Sequence, residues 1–231
     1  MAARKIVWVT RASPGAEETA ARLEALDIEP LVAPLLEVRA LPVGEIDLAG
    51  VGAIAFTSAN GVRAFAERSA ERDIKVFAVG DATAAAAKAA RFRTVLSTQG
   101  AVDALAAGIA ARKRELGGVV LHPGAAEPAG NLNGALERRG VETRSVALYE
   151  SVPAELAAAV LARIPRLHAV LVHSPKAARA LAAILTAAPA PGLRVYCLSR
   201  AVARPLARIP LAELRAASSP TEEALLKLIV R

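Results

Sequence analysis

The side chains that could take part in chemistry are small and polar, and each group follows a short apolar segment. They lie in the turns Thr10-Arg11, Thr57-Ser58-Ala59-Asn60-Gly61, Gly80-Asp81-Ala82-Thr83, His122-Pro123-Gly124, His173-Ser174-Pro175-Lys176 and Ser199-Arg200. Serine, asparagine and threonine at such positions cap the following helix, and the free N–H groups of its first turn can bind an anion. Capping alone explains any single turn, whereas several of them together suit a ligand with many carboxylates.

Tyr149 is the best candidate for proton transfer. It is one of two tyrosines and lies in an extended segment between predicted domains, whereas Tyr196 lies inside an apolar segment and is expected in the core. A phenol is protonated at neutral pH and can donate a hydrogen bond or a proton to a leaving oxygen. Packing within the extended segment is the alternative role of Tyr149, because aromatic residues are common in strands.

The motifs of common cofactor and metal sites do not occur in the sequence. His122, His168 and His173 lack the helical spacing of metal ligands, and Cys197 has no second thiol with which to bind zinc. Cys197 also lies in an apolar segment, which predicts an inert buried thiol. The phosphate-binding motifs GxGxxG and GxxxxGKS/T and the nucleophile motif GxSxG are not found. The sequence therefore argues against a metal site, a dinucleotide site and a P-loop.

Short β-branched segments alternate with alanine-rich helical patterns along the chain, which predicts parallel βα units and the α/β class. The predicted strands span residues 5–9, 53–57, 75–79, 118–122, 168–173 and 194–198, with shorter edge strands at 94–97 and 213–217. The predicted helices span residues 15–26, 59–68, 82–90, 102–112, 129–139, 176–185, 200–207 and 221–230. Ligands of open α/β sheets bind beyond the carboxyl ends of the strands, which is where the polar turns lie.

The chain contains two copies of one pattern. The segment GAIAFTSANGVRAF from Gly52 aligns with HAVLVHSPKAARAL from His168, and KVFAVGDATA from Lys75 aligns with RVYCLSRAVA from Arg194. The separation between matched positions stays nearly constant, which indicates two copies of one α/β module. The strand, turn and helix at residues 118–139 have their counterpart near the N-terminus, in the segment KIVWVTRASPGAEETAARLEALD.

This order predicts two similar parallel-sheet α/β domains, with one domain inserted into the other. The first domain takes residues 1–33 and 153–231, and the inserted domain takes residues 43–144. Residues 34–42 and 145–152 alternate in polarity and are flanked by prolines, which predicts two paired linker strands and a hinge. A single doubly wound sheet with accidental internal similarity is the alternative.

The charge balance favours an anionic partner. The 231 residues include 29 Lys and Arg against 22 Asp and Glu, which gives a formal net charge of +7. The basic residues are scattered and aromatic residues make up 3%, so we expect no nucleic-acid partner. Apolar runs are too short for a membrane span or a signal peptide, and the single cysteine suits a reducing compartment. We expect a cytoplasmic monomer that binds a polyanionic small molecule and does not bind a membrane.

Six short motifs lie in a fixed order along essentially the whole chain. They are VWVTR at residues 7–11, FTSANGV at 56–62, AVGDATA at 78–84, LYE at 148–150, HSP at 173–175 and SSPT at 218–221. Each motif is weak alone, but their order and spacing together resemble the uroporphyrinogen-III synthase family. The fold of that family, two α/β domains joined by a two-stranded linker with the first domain made of both termini, agrees with the organisation inferred above.

The resemblance implies a reaction. It implies a cofactor-free enzyme that cyclises hydroxymethylbilane, a linear tetrapyrrole with eight carboxylates, to uroporphyrinogen III with inversion of the last ring and loss of water. This substrate also cyclises without enzyme, to the isomer that is not inverted, so the enzyme's task is chiefly to choose the product.

The resemblance also implies roles for single residues. Tyr149 matches a tyrosine that assists departure of the hydroxyl group, and Thr83 matches a threonine near the ligand. Turn residues that match ligand-facing positions or are candidates for substrate binding are Ser58, Asn60, Gly61, Ser174, Pro175, Thr221, Arg11 and Lys176. A salt bridge is the alternative role of Arg11, and plain solvation that of Lys176. At Ser199-Arg200 the sequence departs from the glycine, proline and threonines of the family, so either Ser199 and the backbone take over or this region binds more loosely.

Two other classes of protein fit the same organisation. One is a non-enzymatic two-domain binding protein for a polycarboxylate metabolite, and the other is a structural or regulatory module descended from the synthase. Most two-domain binding proteins are exported, and the sequence predicts no signal peptide. Separation of the product isomers formed from hydroxymethylbilane discriminates these classes from the enzyme.

Overall fold

The computed structural model describes residues 4–13, 15–98 and 102–230. The chain folds into two compact units, which we call unit 1 (Met1–Glu37 with Val152–Arg231) and unit 2 (Val38–Ser151). The domain boundaries derived from the sequence, with separate linkers at 34–42 and 145–152, stay a prediction, and their outer limits at residues 1 and 231 lie outside the described residues. Within the described part of the chain, no helix is both long and apolar enough to cross a membrane.

Strands and helices alternate along the chain. The strands are β1 (Ile6–Val9), β2 (Glu29–Val32), β3 (Leu36–Ala40), β4 (Val51–Phe56), β5 (Lys75–Val79), β6 (Val95–Thr98), β7 (Val119–Ala125), β8 (Thr143–Pro153), β9 (Ala169–Val172), β10 (Arg194–Cys197) and β11 (Glu213–Ala216). The helices are α1 (Gly15–Glu24), α2 (Ala59–Ala66), α3 (Gly80–Ala89), α4 (Val102–Ala110), α5 (Leu132–Glu137), α6 (Ala158–Leu161), α7 (Pro175–Ala187), α8 (Arg200–Ala203) and α9 (Glu222–Leu226). The predicted α/β class is confirmed.

Each unit contains a parallel sheet. In unit 1 the strand order is β11-β10-β9-β1-β2, and the neighbouring strands are parallel. In unit 2 the order is β3-β8-β7-β4-β5-β6, with parallel pairing from β8 to β6. The strands β3 and β8 are antiparallel, because the N–H of Leu41 donates to the carbonyl of Leu148 while the N–H of Ala154 donates to that of Leu35.

The two sheets repeat one strand order. The order β11-β10-β9-β1-β2 in unit 1 corresponds to β6-β5-β4-β7-β8 in unit 2. The N-terminal β1 thus takes the place that β7 has in the other sheet, as the internal comparison of the sequence predicts. This correspondence, with the pairing of β3 and β8, confirms the predicted fold class of two similar parallel-sheet domains joined by a two-stranded linker.

The sheet of unit 1 is buried on both faces. Val7 and Val9 of β1 pack in a cluster with residues of α1, whereas Trp8 points to the opposite face and packs in a cluster with residues of α7. The indole of Trp8 is fully buried and donates to the carbonyl oxygen of Ala33 at 2.7 Å. Burial on two faces explains why these strands are continuously apolar rather than alternating.

Several elements differ from the sequence-based prediction, among them the short helix α6, which the sequence does not predict. The sequence does not predict β2, which contains Pro30, but β2 is an edge strand where a missing N–H is tolerated. The helix expected at 200–207 is divided into α8 and a 3₁₀ turn at Arg204–Leu206, because Pro205 disfavours a continuous helix. The strand β8 begins at Thr143 and pairs with β7, so the segment expected as a linker is also a strand of the sheet of unit 2.

Candidate active site

The polar turns of each unit lie at one edge of its sheet. Because the strands other than β3 run parallel, their carboxyl ends meet at the same edge, which we call the carboxyl edge. In unit 2 this edge carries the turns after β4, β5 and β7, with Tyr149 on β8. In unit 1 it carries the turns after β1, β9, β10 and β11.

Tyr149 and Ser58 form the main polar contact at the carboxyl edge of unit 2. Their hydroxyl oxygens are 2.8 Å apart, and either can be the donor. Ser58 is the N-cap of α2, and its oxygen also accepts the N–H of Gly61 at 3.1 Å. Tyr149 is 5% exposed and packs in a core cluster with Phe56 and Phe65. A buried phenol is therefore held with its hydroxyl at a turn where the sequence predicts substrate binding.

A β-bulge sets the direction of Tyr149. The strands β7 and β8 pair regularly as far as Gly124 and Ala147, after which Ala125 pairs with Tyr149 and Leu148 is the extra residue. Consecutive residues of a regular strand point to opposite faces, yet Leu148 and Tyr149 are buried in the same cluster. The bulge accounts for this departure and places the phenol beside the turn after β4.

His122 contacts the turn that contains Ser58. Its Nε2 lies 3.2 Å from Oγ1 of Thr57, the residue before Ser58. Burial lowers the pKa of His122, although a hydrogen bond with Asn133 opposes that shift. The imidazole is therefore neutral at neutral pH and can hold the Thr57 hydroxyl without adding charge. Sequence reasoning missed this contact, because the spacing of the two residues along the chain does not show that they are neighbours.

Gly61 and Asn60 complete the turn after β4. A Cβ at Gly61 would lie 2.9 Å from the carbonyl oxygen of Pro123, so glycine allows α2 to approach the end of β7. Asn60 lies beside it, and its Oδ1 accepts a hydrogen bond from Arg63 at 2.7 Å. Asn60 is thus paired within its own helix, whereas Gly61 has a packing role.

Thr83 lies near the start of α3 and is 6% exposed. The N-cap of this helix is Val79, which provides no side-chain cap for the first N–H groups. Asp81, which would repel an anion, accepts a hydrogen bond from Ser97 of β6 at 3.0 Å. Asp81 is therefore bonded toward β6 and is not the N-cap of α3.

Three predicted residues of unit 1 are N-caps. Ser174, Ser199 and Thr221 each accept, through the side-chain oxygen, the N–H of the residue three positions later, at 3.1, 3.4 and 3.3 Å. Capping, which the sequence analysis kept as an alternative role, is therefore observed at all three. A capping hydroxyl accepts and still has its own O–H to donate, so capping does not prevent contact with a ligand. Lys176 lies in the first turn of α7 and is partly buried.

A cavity of about 320 Å³ lies at the ends of β10 and β11. It is lined by Ser199 and Arg200 on one side and by residues 216–220 on the other, including Ser218 and Ser219. Hydroxyl and guanidinium groups are good partners for carboxylates. The cavity thus brings together the Ser199-Arg200 turn and the SSPT motif, which are separated in the sequence.

Arg11 pairs with a carboxylate that the sequence analysis did not single out. Its Nη1 lies 3.3 Å from Oε2 of Glu222, the first residue of α9. The same carboxylate group contacts Nε2 of His173 at 3.0 Å and accepts from Oγ1 of Thr19 at 2.7 Å. We call these four residues the Glu222 cluster. The salt bridge considered as the alternative role of Arg11 is therefore present.

The carboxylate of Glu222 is ionised at neutral pH. Burial by itself raises the pKa of Glu222, but hydrogen bonds from His173 and Thr19, together with the charge of Arg11, outweigh burial and lower the pKa from 4.5 to about 2. Its position directly after the SSPT motif is the one sequence signal that could have pointed to it. The partners of Glu222 come from β1, α1 and the end of β9, which the sequence does not show to be adjacent.

Cys197 and Tyr196 take no part in either carboxyl edge. Cys197 is buried, as predicted, and burial raises the pKa of its thiol to about 12. Tyr196 is buried in the core as expected, with its hydroxyl donating to Glu213 at 2.8 Å. Burial and the Glu213 carboxylate raise the pKa of Tyr196 to about 12.

These features define a class of protein. Each unit is a parallel α/β sheet whose carboxyl edge carries helix N-termini and hydroxyl groups, with guanidinium groups in unit 1 and a buried phenol in unit 2. Such groups favour anions, and carboxylates in particular. The class is thus a two-unit α/β protein whose sheet edges carry groups suited to an acidic ligand.

Comparison with known proteins gives the family within this class. The family described as uroporphyrinogen-III synthase HemD matches residues 17–227, so the chain belongs to the uroporphyrinogen-III synthase family. The family prediction is confirmed, and with it the activity of the family, a cyclising hydro-lyase of haem biosynthesis.

Solved structures of similar fold agree with this assignment. The uroporphyrinogen-III synthetase of Helicobacter pylori is 20% identical, with a TM-score of 0.71 and 99% of each chain covered. A mutant uroporphyrinogen III synthase of Thermus thermophilus is 18% identical, with a TM-score of 0.55 and coverage of 99% of this chain and 98% of that chain. At these identities the likeness shows the shared fold. No sequence among curated proteins matches this chain significantly.

Proposed function

We propose that this chain converts hydroxymethylbilane to uroporphyrinogen III, with inversion of the last pyrrole ring, and that Tyr149 assists the loss of water. Family membership supports the reaction. The single observation that supports the role of Tyr149 is the 2.8 Å contact of its hydroxyl with that of Ser58 at the carboxyl edge of unit 2. Thus the phenol stands beside a helix N-terminus, where acidic groups of a substrate are favoured.

The proposed step is general acid catalysis. As the bond between the terminal carbon and its hydroxyl breaks, Tyr149 donates its proton to the departing oxygen, and the electron pair of the pyrrole nitrogen, which keeps its hydrogen, forms an azafulvenium cation beside the new phenolate. Water leaves, and Ser58 stabilises the phenolate by donating its hydroxyl hydrogen. The α carbon of the last pyrrole that carries the chain attacks the cationic carbon and gives a spiro intermediate. One of the older carbon–carbon bonds at the spiro carbon then breaks, a new bond forms at the free α carbon of the same ring, and the hydrogen lost from that carbon returns to the phenolate as a proton.

The remaining predicted residues are proposed to hold the substrate's carboxylates. Arg11 and Lys176 supply charge, and hydrogen bonds come from the side-chain amide of Asn60 and from the hydroxyl groups of Thr83, Ser174, Ser199 and Thr221. Ser58 and Gly61 contribute by shaping the turn, because the Ser58 hydroxyl is used by Tyr149 and the Gly61 N–H by Ser58. The first-turn N–H groups of α3, which have no side-chain cap, and the capping hydroxyl of α7 support this assignment. Each of these groups is a donor, as a polycarboxylate requires.

Product selection needs little energy. The substrate cyclises spontaneously to the isomer that is not inverted, so the enzyme has to favour one ring closure over another. A hundredfold preference corresponds to about 2.7 kcal/mol between two transition states. Correct positioning of bound groups can supply that difference, so a strong acid–base pair is not required.

We further propose a cytoplasmic monomer that acts without a cofactor and has neither nucleic-acid nor membrane partners. The small-molecule substrate of the family and the scattered distribution of basic residues support this proposal. Sedimentation at micromolar concentration tests the monomer, and a mass of twice the chain would contradict it.

The experiment that tests the function is separation of product isomers. Purified protein is supplied with hydroxymethylbilane, and the products are oxidised and resolved as isomers I and III. We expect isomer III to dominate at a rate proportional to protein concentration. Isomer I alone at high protein concentration would overturn the proposal, and tight substrate binding in that case would indicate a binding protein.

A further inference from the structure

The Glu222 cluster lies at the carboxyl edge of unit 1, where one carboxylate connects four elements. Glu222 begins α9, Arg11 follows β1, His173 follows β9, and Thr19 lies in α1. Oε2 is 3.3 Å from Nη1 of Arg11 and 3.0 Å from Nε2 of His173, and Oε1 accepts from Thr19 at 2.7 Å. Both carboxylate oxygens are therefore occupied by donors of unit 1.

Burial distinguishes the carboxylate from the cation that it holds. The side chain of Glu222 is 16% exposed and that of His173 is 11% exposed, whereas that of Arg11 is 36% exposed. Nδ1 of His173 is buried and has no hydrogen-bond partner among the described residues, so the ring is oriented through its contact with Glu222. The side chain of Glu222 is thus largely buried within unit 1, whereas that of Arg11 reaches solvent.

The guanidinium of Arg11 is held in one place from two sides. Glu222 binds Nη1, and a Cβ at Gly15 would clash with both Cζ and Nη2 of Arg11, so the guanidinium packs directly on the glycine. A guanidinium has five N–H donors, and one contact with Glu222 leaves others for an anion. The salt bridge therefore orients the planar guanidinium and leaves some of its N–H groups to bind an anion.

We infer that Glu222 is a positioning residue for substrate binding, which acts by fixing the guanidinium of Arg11 at the carboxyl edge of unit 1. The inference rests on the proposed function, in which Arg11 binds a substrate carboxylate. Glu222 itself does not touch substrate, since its two oxygens are bonded to Arg11, His173 and Thr19. Replacement of Glu222 leaves the positive charge of Arg11 unchanged but removes the contact that fixes the position of its guanidinium.

If only the number of charges matters, loss of Glu222 is expected to lower KM rather than to raise it. Removal of a negative charge beside an anionic substrate strengthens binding if orientation does not matter. A purely structural role makes a third prediction, because a smaller folded fraction lowers the apparent kcat and leaves KM unchanged. The direction of the KM change therefore separates the three possibilities.

The test compares Glu222→Gln with Glu223→Gln. Glu223 lies next to Glu222 in the first turn of α9, is 75% exposed and pairs with Lys227 outside the cluster, so it is a matched control for charge and helix position. For Glu222→Gln we expect KM for hydroxymethylbilane to rise about tenfold, as for a lost charge-assisted contact, with kcat changed less than about twofold. For Glu223→Gln we expect both constants to match the parent protein.

A double variant tests whether Glu222 acts through Arg11. In an Arg11→Ala background, Glu222→Gln is expected to cause no further rise in KM, because the group that it orients is gone. Independent effects of the two substitutions on KM would overturn the inference, as would an unchanged or lowered KM in the single variant.

Gly15→Ala tests the same inference with Glu222 intact and is decisive if Glu222→Gln does not fold. The added methyl displaces the guanidinium, while alanine favours the helix. A raised KM with normal kcat is expected, and an unchanged KM would overturn the inference. If the parent protein forms only isomer I, the proposed function fails before the variants are compared, so the two failures are distinguishable.

Discussion

The hydroxyl groups of the two tyrosines, Tyr149 and Tyr196, have different surroundings. The hydroxyl of Tyr149 contacts Ser58 at a turn on the carboxyl edge of unit 2, whereas that of Tyr196 donates to Glu213. Burial and the Glu213 carboxylate raise the pKa of Tyr196 to about 12. The Tyr196 hydroxyl therefore stays protonated and its hydrogen is bonded to Glu213. Substitution of each tyrosine by phenylalanine therefore compares the proposed catalytic position, Tyr149, with a structural one, Tyr196.

The first prediction concerns Tyr149→Phe. We expect kcat to fall about 10- to 100-fold, because the proton donor is lost, with little change in KM. The free energy of unfolding is expected to fall by about 1 kcal/mol, the usual contribution of one hydrogen bond. Steady-state kinetics and urea unfolding measure both quantities. Tyr196→Phe is the control and should retain the parent kcat, while a parent-like kcat in Tyr149→Phe would reduce Tyr149 to a packing residue.

The second prediction concerns the pH dependence of stability. The folded-state pKa of Glu222 is about 2, below the ordinary value of 4.5, so its ionised form stabilises the fold above about pH 4.5. This stabilisation, about 3 kcal/mol when fully present, is lost as the pH falls from about 4.5 toward 2. Urea unfolding at a series of pH values should show that loss in the parent protein and a smaller one in Glu222→Gln. Parallel curves for the two proteins would contradict the prediction.

The close approach of α2 to the end of β7 holds the turn that contains Ser58. Our third prediction is that Gly61→Ala destabilises the protein by about 1–3 kcal/mol, because the new Cβ would lie 2.9 Å from the carbonyl of Pro123. Alanine gains about 1 kcal/mol of helix propensity, which only partly offsets that clash. Chemical denaturation measures the change. Gly192→Ala is the control because nothing lies near its Cβ, and equal stability of the two variants would refute the packing argument.

Most strands and helices could be predicted because their signals are local. The β-branched strands and alanine-rich helices are apolar on the faces that they bury, and the internal repeat of the sequence is sufficient to predict that β1 takes the place of β7. Ser58, Ser174, Ser199 and Thr221 could be found in the same way, since a hydroxyl between a strand and a helix is a local capping signal.

Features that depend on distant segments could not be predicted. The bulge that directs Tyr149 arises from the pairing of β8 with β7. The polarity of residues 145–152 shows that they form a strand but does not reveal which strand pairs with them. Glu222 meets Arg11, His173 and Thr19 only after β1 and β9 are adjacent. Such contacts follow from topology, which local propensity does not determine.

The formal net charge of +7 favours capture of an acidic substrate through long-range attraction. Our fourth prediction is that KM rises several-fold as ionic strength increases from about 0.05 to 0.5 M, since salt screens long-range attraction, while kcat stays nearly constant. Steady-state kinetics in a series of sodium chloride concentrations measure the effect. A KM independent of salt would show that capture relies on short-range contacts alone.

We propose that groups at the carboxyl edges of the two sheets bind the tetrapyrrole, and hydrogen exchange measured by mass spectrometry can test this proposal. With uroporphyrinogen III under anaerobic conditions, we expect slower exchange than without it in the peptides that contain residues 57–62, 80–84, 174–177, 199–202 and 218–222. Slower exchange confined to the amino ends of the strands, such as residues 72–75, with none at these turns, would contradict it.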